Sequence, residues 1–388
     1  MVSTPGEYQV GLIGTSFRQV GFEGLGPATA ALTDYVRRAA LKEALGVCEL
    51  VVLATCNRLE CYVAAAKLDA QRLRASAAKF FRGELRADLL QVELGRPAVE
   101  HLFAVVSSLD SFVVGETDVV RQVRRAIESA QAEGLAREAL GHVFDRALQC
   151  ARRVHTETAL GSTPVSVATL AVQKIQRHFG ELGPSVSLLV GTGDMTRKVG
   201  AAMARYEQGE RIFVNRTLAG AEELAERFQG RAMSLEQLHR DPPREIDLVF
   251  SATSASEPVI PAETLAPAIA ARVGCGRAPM IVCDLGVPRD VDPSLEGREG
   301  IVLLALEHLE VLAELNRTRL EDELDAARAI VRDLSTRLSR ERRFRALADR
   351  STQAILESRL AHLDPQDRDA ILKFATGLAE RFARQPDE

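Results

Sequence analysis

Apolar and polar positions fall into three successive regimes along this 388-residue chain. The first mixes short alternating runs with helical spacing. Gln9 to Ile13 reads as a strand ending at Gly14, and Pro27 to Leu45 sets Ala and Leu positions against Arg37, Arg38, Lys42 and Glu43 at helical intervals. Two strand-like runs, Val51 to Ala54 and Leu59 to Val63, flank the polar tetrad Thr55-Cys56-Asn57-Arg58, which predicts a strand, a tight turn and a returning strand. A helical stretch from about Leu68 to Phe81 and a strand near Leu89 to Leu94 complete the order βαββαβ, that of a ferredoxin-like split unit. Such a unit holds the polar turn at one end of a small antiparallel sheet.

Beyond Pro97 the spacing becomes helical. Ala98 to Val105 begins one helix, and Val119 to Ala132, bearing Arg121, Arg124 and Arg125, makes another. Between them residues 107–118, S-S-L-D-S-F-V-V-G-E-T-D, suit a shaped wall rather than a regular element. Composition shifts over Thr156 to Thr169, where Gly161 and Pro164 interrupt structure, and a domain boundary is expected there.

The second regime is of parallel-strand type. Val186 to Val190 runs into Gly191-Thr192-Gly193-Asp194-Met195-Thr196 and then a helix, Arg197 to Tyr206. Strands at Arg211 to Val214, Ile246 to Phe250 and Met280 to Leu285 alternate with helices as far as residue 305, predicting a doubly wound parallel sheet. From Glu307 strand signals vanish. Leu309, Leu312, Leu315, Leu320, Leu324, Ala327, Ile330, Val331 and Leu334 recur at helical spacing, predicting one long helix and two shorter ones broken near Leu363-Asp364-Pro365. A long amphipathic helix cannot bury its stripe alone, so the tail reads as an association domain; the alternative is a helix folded back on its own chain.

Length and composition narrow the classes. The chain is long for one core, and the boundaries above divide it at 1–158, 159–306 and 307–388. Hydrophobic content of 46% with 27% charged residues fits a soluble globular protein. The net charge of −5 makes no case for general nucleic-acid affinity, so DNA is not an expected partner, although a local basic face is allowed. Six cysteines (Cys48, Cys56, Cys61, Cys150, Cys275 and Cys283) make no C-x-x-C pair and no ligand cluster with the seven histidines. No metal site is expected, and a reducing compartment is. The N-terminus lacks a basic segment leading into a long apolar one, and no stretch is apolar for long enough to span a bilayer. A cytoplasmic protein with no membrane partner is expected.

Chemistry concentrates in two places. Cys56 follows a strand and sits two residues before Arg58, whose positive charge favours thiolate, the nucleophilic form. The alternative is an inert buried cysteine, and the polar company of Thr55, Asn57 and Arg58 weighs against it. His101, on a helix with apolar neighbours, reads by itself as a packed core histidine. The second place is the glycine-rich turn at 191–196, where backbone N–H groups and a helix N-terminus can hold a pyrophosphate. Thr196 stands where the third glycine of G-x-G-x-x-G would be. After the next strand comes Asn215-Arg216-Thr217 rather than an acidic residue, which suits a 2′-phosphate and hence NADPH. Ser251, Ala252 and Thr253 fall at a strand's carboxyl end on the nicotinamide side.

Taken together, these residues resemble glutamyl-tRNA reductase over nearly the whole chain. The matching stretches are A-T-C-N-R-L-E-C-Y at 54–62, H-L-F-A-V at 101–105, L-D-S-F-V-V-G-E-T-D-V-V-R-Q-V at 109–123, T-E-T at 156–158, G-T-G-D-M at 191–195, N-R-T at 215–217 and D-L-G-V-P-R-D at 284–290. The resemblance implies a multidomain α/β protein: a ferredoxin-like α+β catalytic domain, a Rossmann-type NADPH domain and an all-α dimerisation domain on a long spinal helix. It implies that Cys56 takes the glutamyl group from glutamyl-tRNA as a thioester, which NADPH reduces to glutamate-1-semialdehyde for tetrapyrrole synthesis. A thioester carbonyl is more electrophilic than that of an ester, and its reduction expels the sulfur as the enzyme thiol, so a nucleophilic cysteine, an anion-binding Arg and a nicotinamide domain belong together in one chain.

By the same resemblance His101 assists the ester transfer, and Thr55, Asn57, Arg58, Ser111, Glu116, Thr117, Asp118 and Gln122 hold the glutamyl group, Arg58 by its planar fork. Gly191, Thr192, Gly193, Asp194, Met195, Thr196, Asn215, Arg216 and Thr217 hold NADPH, and the expected partners are a second copy of the chain and glutamate-1-semialdehyde aminomutase. The chain departs from the family at Ile13-Gly14-Thr15-Ser16-Phe17-Arg18, where a Ser or Asn and His-Lys-Thr-Ala-Pro are usual, at His155 in place of Arg, and at Leu303-Leu304-Ala305-Leu306 in place of a Tyr- and Asp-containing stretch. Two competing readings are a thiol-dependent NADPH reductase of another acyl ester and a silent paralogue that binds tRNA or NADPH.

Overall fold

A computed structural model describes residues 8–383, apart from 56, 117, 162–165, 180–185, 207–208, 254 and 256. Cys56 and Thr117 therefore lie outside the described residues.

The N-terminal sheet has strands β1 (Gln9–Ser16), β2 (Glu49–Ala54), β3 (Arg58–Ala65) and β4 (Gln91–Leu94) in the order β2-β3-β1-β4, with every pair antiparallel. This is the ferredoxin-like arrangement the sequence predicts. Alternation along the strands feeds two cores. Val10, Leu12, Val51, Leu53 and Tyr62 face one helical layer, formed by α4 (Arg96–Val106), α5 (Asp118–Ala132) and α6 (Glu138–Glu157). Ile13, Leu50, Leu59, Cys61 and Val63 face the other, formed by α1 (Phe17–Ala31), α2 (Tyr35–Leu45) and α3 (Ala70–Phe80).

Helical spacing over Pro27 to Leu45 predicts one element, but the structure starts a new one at Tyr35. Asp34 accepts the Val36 N–H at 3.1 Å, so a fresh helix is capped where the chain could have run on. α1 begins ten residues earlier than the spacing predicts, and Gly21, at φ +70°, kinks it. The long α6, for which the sequence reading made no provision, buries Phe144, Ala147, Cys150, Ala151 and Val154.

The second sheet joins β5 (Val186–Val190), β6 (Glu210–Asn215), β7 (Arg231–Ser234), β8 (Leu248–Ser251), β9 (Met280–Asp284) and β10 (Ile301–Ala305). Its order is β10-β9-β8-β5-β6-β7 and every pair is parallel, the doubly wound dinucleotide-binding topology. The strand order reverses between β5 and β8, which opens a crevice at their carboxyl ends. One face packs on α7 (Val167–Phe179) and α8 (Asp194–Tyr206) in a core that also takes in Phe22, Phe112 and Val113 from the N-terminal part. Phe17 and Phe22 stack at 4.7 Å, and both meet the Phe112 ring edge-on. The divergent 13–18 segment thus contributes Phe17 to the seam between the two sheets. Phe22 and Phe112, the buried rings of the three, are each worth about 1.5–3 kcal/mol there, and the half-buried Phe17 less.

Helices α9 (Leu218–Phe228) and α10 (Leu235–Arg240) lie between β6 and β8, and α11 (Ala262–Cys275) lies between β8 and β9. The tail is α12 (Glu310–Arg319), α13 (Glu321–Ser358) and α14 (Pro365–Ala383). The predicted long helix is interrupted at Leu320, where Glu321, Asp322 and Glu323 supply the acidic first turn of a new helix. One helix rather than two follows the long one, after the break at Leu363-Asp364-Pro365, and Asp364 caps it through the Gln366 and Asp367 N–H groups. Leu324, Ala327, Val331 and Leu338 of α13 join the first core, so the first half of this helix lies on its own chain, against α4 and α6. No helix among the described residues is long and apolar enough to cross a membrane.

Candidate active site

The polar turn between β2 and β3 is closed by the Thr55 N–H donating to the Arg58 carbonyl at 2.9 Å, and the Asn57 N–H donates to Thr55 Oγ1 at 3.1 Å. The Phe17 N–H donates to the Asn57 carbonyl, so the end of β1 pins the turn from the other side. Period-two alternation then puts Arg58, Glu60 and Tyr62 on one face of β3.

That face carries a buried ionic cluster. Arg58, 1% exposed, donates from Nη1 to Glu60 Oε1 at 2.9 Å and to Asp110 Oδ2 at 3.2 Å, and from Nη2 to the Asp110 carbonyl. Glu60 Oε1 also meets His101 Nε2 at 2.7 Å, and Glu60 Oε2 accepts from the Tyr62 hydroxyl at 2.7 Å. Burial by itself would raise the Glu60 pKa, but Arg58, His101 and Tyr62 outweigh it and bring it down to about 2. Burial would lower the His101 pKa; the Glu60 carboxylate more than offsets this, and the imidazole is raised above its ordinary value. The core histidine of the sequence reading is thus an ion-paired one. Glu60 and Asp110 were not singled out from sequence, although the i, i+2 spacing of Arg58 and Glu60 in a strand was the available signal.

The other predicted glutamyl-binding residues lie along the 107–118 wall. Ser111 is buried, and its carbonyl accepts from Arg317 of α12 at 3.3 Å. Glu116 and Asp118 both pair with Lys198 of α8, the first at 3.3 Å. Burial pushes the Glu116 carboxyl up to about 7, the Lys198 charge offsetting only part of the rise and Asp118 adding to it.

At the end of β5, Gly191 has φ +104°, and a Cβ there would lie 2.5 Å from the Ala252 carbonyl, so only glycine lets the loop approach β8 this closely. Among the described residues a Cβ at Gly193 would meet nothing within 4 Å, leaving the loop open toward the crevice, and Thr196 Oγ1 is buried with no partner among them. These features fit a dinucleotide at the α8 N-terminus. Asn215 Nδ2 donates to the Thr217 carbonyl and hydroxyl at 3.2 and 3.1 Å, and Arg216 is exposed beside a cavity of about 290 Å³ shared with Val190, Gly191 and Thr253. The 284–290 loop braces this edge. Asp284 accepts backbone N–H groups from Gly286, Asp290 and Val291, while Asp290 accepts from Ser251 Oγ and from the backbone and hydroxyl of Thr253.

One crevice of about 480 Å³ is lined by Thr55, Asp118, Arg121 and Gln122 on one wall, and by Gly191 to Met195, Asn215, Ala252 and Thr253 on the other. Residues assigned from sequence to two different ligands therefore share a cavity. Of the other described residues assigned from sequence, Asn57, Arg58, His101, Ser111, Glu116, Thr196, Arg216 and Thr217 do not line it. Among the described residues no group of three or more His, Cys, Asp or Glu side chains is placed to hold a metal.

Comparison with known proteins fits this geometry. Residues 13–158 match the family profile described as glutamyl-tRNAGlu reductase, N-terminal domain, and residues 173–312 match that of shikimate / quinate 5-dehydrogenase, a nucleotide-binding domain of the NAD(P) type. The chain is 35% identical over 361 residues to the glutamyl-tRNA reductase of Stenotrophomonas maltophilia (strain K279a), covering 89% of this chain and 82% of that protein. It is 31% identical over 363 residues to that of Bacillus subtilis (strain 168), covering 89% and 79%. The solved structure of glutamyl-tRNA reductase from Methanopyrus kandleri aligns over 97% of this chain and 95% of its own, with 27% identity and a TM-score of 0.48. The chain belongs to the glutamyl-tRNA reductase family.

Proposed function

We propose that this chain reduces glutamyl-tRNA to glutamate-1-semialdehyde with NADPH, through a thioester on Cys56. The observation that carries the reading is the shared crevice, in which Thr55, the residue before Cys56, faces the glycine-rich loop across about 480 Å³. In this reading residues 1–158 form the catalytic domain, 159–306 the NADPH domain and 307–388 the dimerisation domain.

The Cys56 thiolate attacks the ester carbonyl, and the 3′-terminal ribose oxygen of the tRNA leaves as the thioester forms. That oxygen needs a proton. In this reading His101, its Nε2 held by Glu60 and its pKa raised above the ordinary value by that carboxylate, is the group that supplies it. Asn57, Ser111, Glu116, Thr117, Asp118 and Gln122 shape the glutamyl pocket. Arg58 has Glu60 and Asp110 already on its fork and lies outside the crevice lining, so in this reading it orders the wall behind the turn rather than clamping the substrate carboxylate. Gly191 to Thr196 cradle the cofactor's phosphates, and Asn215 to Thr217 take its adenosine end, where Arg216 favours NADPH over NADH. Bound NADPH supplies the hydride that releases the aldehyde and restores the thiol. The reactive product passes to glutamate-1-semialdehyde aminomutase. Purified protein with charged glutamyl-tRNA and NADPH should yield the semialdehyde; absence of product, with labelled glutamate never retained on the protein, would refute the reading.

A further inference from the structure

Resting on this functional reading, we propose that Arg121, on the opposite wall from the glycine-rich loop, is a ligand of the cofactor's pyrophosphate. Arg121 stands in the first turn of α5, in the N-terminal part of the chain, yet it lines the crevice together with Gly191 to Met195. Its Nη2 reaches Asp194 Oδ2 at 2.8 Å and Asp118 Oδ1 at 2.9 Å. Asp194 is the first residue of α8, where the helix N-terminus and the loop N–H groups favour a phosphate.

The acidic side chain of Asp194 poses an electrostatic problem at that spot. A carboxylate at the helix start repels the anion the loop is shaped to receive. Arg121 answers it from across the crevice, and Arg125 Nη1 adds a weaker contact to the same Asp194 oxygen at 3.8 Å. Among the described residues both ion pairs of Arg121 use a single nitrogen, so Nη1 and Nε remain for a further acceptor, and the side chain, 43% exposed, lines the crevice. A guanidinium with two such nitrogens beside a phosphate cradle suits a planar, charge-assisted contact. The consequence is that the two walls are joined through the cofactor, because the residue that completes its site belongs to the part of the chain that carries Cys56.

Equilibrium binding to the full chain tests this, with NADPH and adenosine 2′-monophosphate, which lacks the pyrophosphate, as probes. Arg121→Ala should weaken NADPH about 10- to 100-fold, with Arg121→Lys in between. The same variants should bind adenosine 2′-monophosphate as the wild type does. Asp194→Asn on the Arg121→Ala background separates a direct contact from mere neutralisation of Asp194. If Arg121 touches the phosphate, the double variant stays weak. Full recovery of NADPH affinity in the double variant overturns the proposal, as does unchanged affinity in Arg121→Ala or an equal loss on both probes. Failure of the wild type to bind NADPH at all refutes the functional reading itself, a result distinct from any of these.

Discussion

Cysteine chemistry divides this chain at the level of single residues. Cys61 sits on the opposite face of β3 from Arg58, and burial pushes its thiol up to about 12; burial likewise raises Cys150, to about 11. Neither is a competent thiolate at neutral pH. Cys56→Ser should therefore abolish semialdehyde formation, since an oxygen nucleophile yields only another ester. Cys61→Ser should keep most of the activity, and a Cys56→Ser protein with wild-type turnover would show that no thioester is involved. The Arg58–Glu60–His101 cluster gives a second expectation. Glu60 has a depressed pKa, so its contribution to stability is present above its unfolded value of about 4.3 and is lost as pH falls toward 2. His101 has a raised pKa, so its share is full below about 6.5 and fades as pH rises through the folded value. Glu60→Gln should cost about 3–5 kcal/mol, because it strips a buried guanidinium of one of its two carboxylates. It should also move the His101 titration to lower pH. Urea denaturation and an NMR titration of His101 read the two effects separately, and an unmoved titration would mean that Glu60 does not set the proton on His101.

At the scale of elements, what could be read from sequence follows from how local each signal is. The β5–turn–α8 unit was legible because a strand, two glycines and a helix start are contiguous, and the antiparallel N-terminal sheet because its alternation is local. The Asp34 cap and the acidic start of α13 are local too, but they cut helices that periodicity alone joins. Cross-chain partners were not legible. Asp110 meets Arg58 across 52 positions and Lys198 meets Asp118 across 80, and nothing in either neighbourhood announces the other. The cofactor's adenosine end depends on one short element, the segment after β6. Arg216 is exposed there with Asn215 and Thr217 tied to each other, so removing it should disturb little of the fold. Arg216→Ala should weaken NADPH by about 1.5–3 kcal/mol and NADH far less. Titrating both cofactors against both proteins checks this, and equal weakening would show that Arg216 does not read the 2′-phosphate.

For the whole molecule the open question is what covers the tail. The first half of α13 is spent on the chain's own core, which agrees with the fold-back alternative for that half only. Beyond it Thr376 of α14 donates to Asp349 of α13 at 2.7 Å, so the two helices form a hairpin. That hairpin leaves Phe344, Leu347, Ile355, Phe374, Leu378 and Phe382 exposed, with Phe374 at 71%. Six large apolar side chains on one short helical pair are more than an isolated surface tolerates, and a second copy offering the same stripe closes the assembly by a twofold. We therefore expect a dimer in which each chain keeps its own crevice. Removing only residues 345–388 leaves the Leu324, Ala327, Val331 and Leu338 contacts in place, whereas cutting near Leu309 removes them along with the Arg317 hydrogen bond to Ser111. The shorter deletion should give a monomer that still acylates Cys56 with glutamyl-tRNA; the longer one should lose stability in the N-terminal core. Light scattering combined with trapping of labelled glutamate distinguishes them. A monomeric full-length protein would sink the dimer, and a folded 1–344 monomer unable to acylate would place the hairpin within the support of the active site.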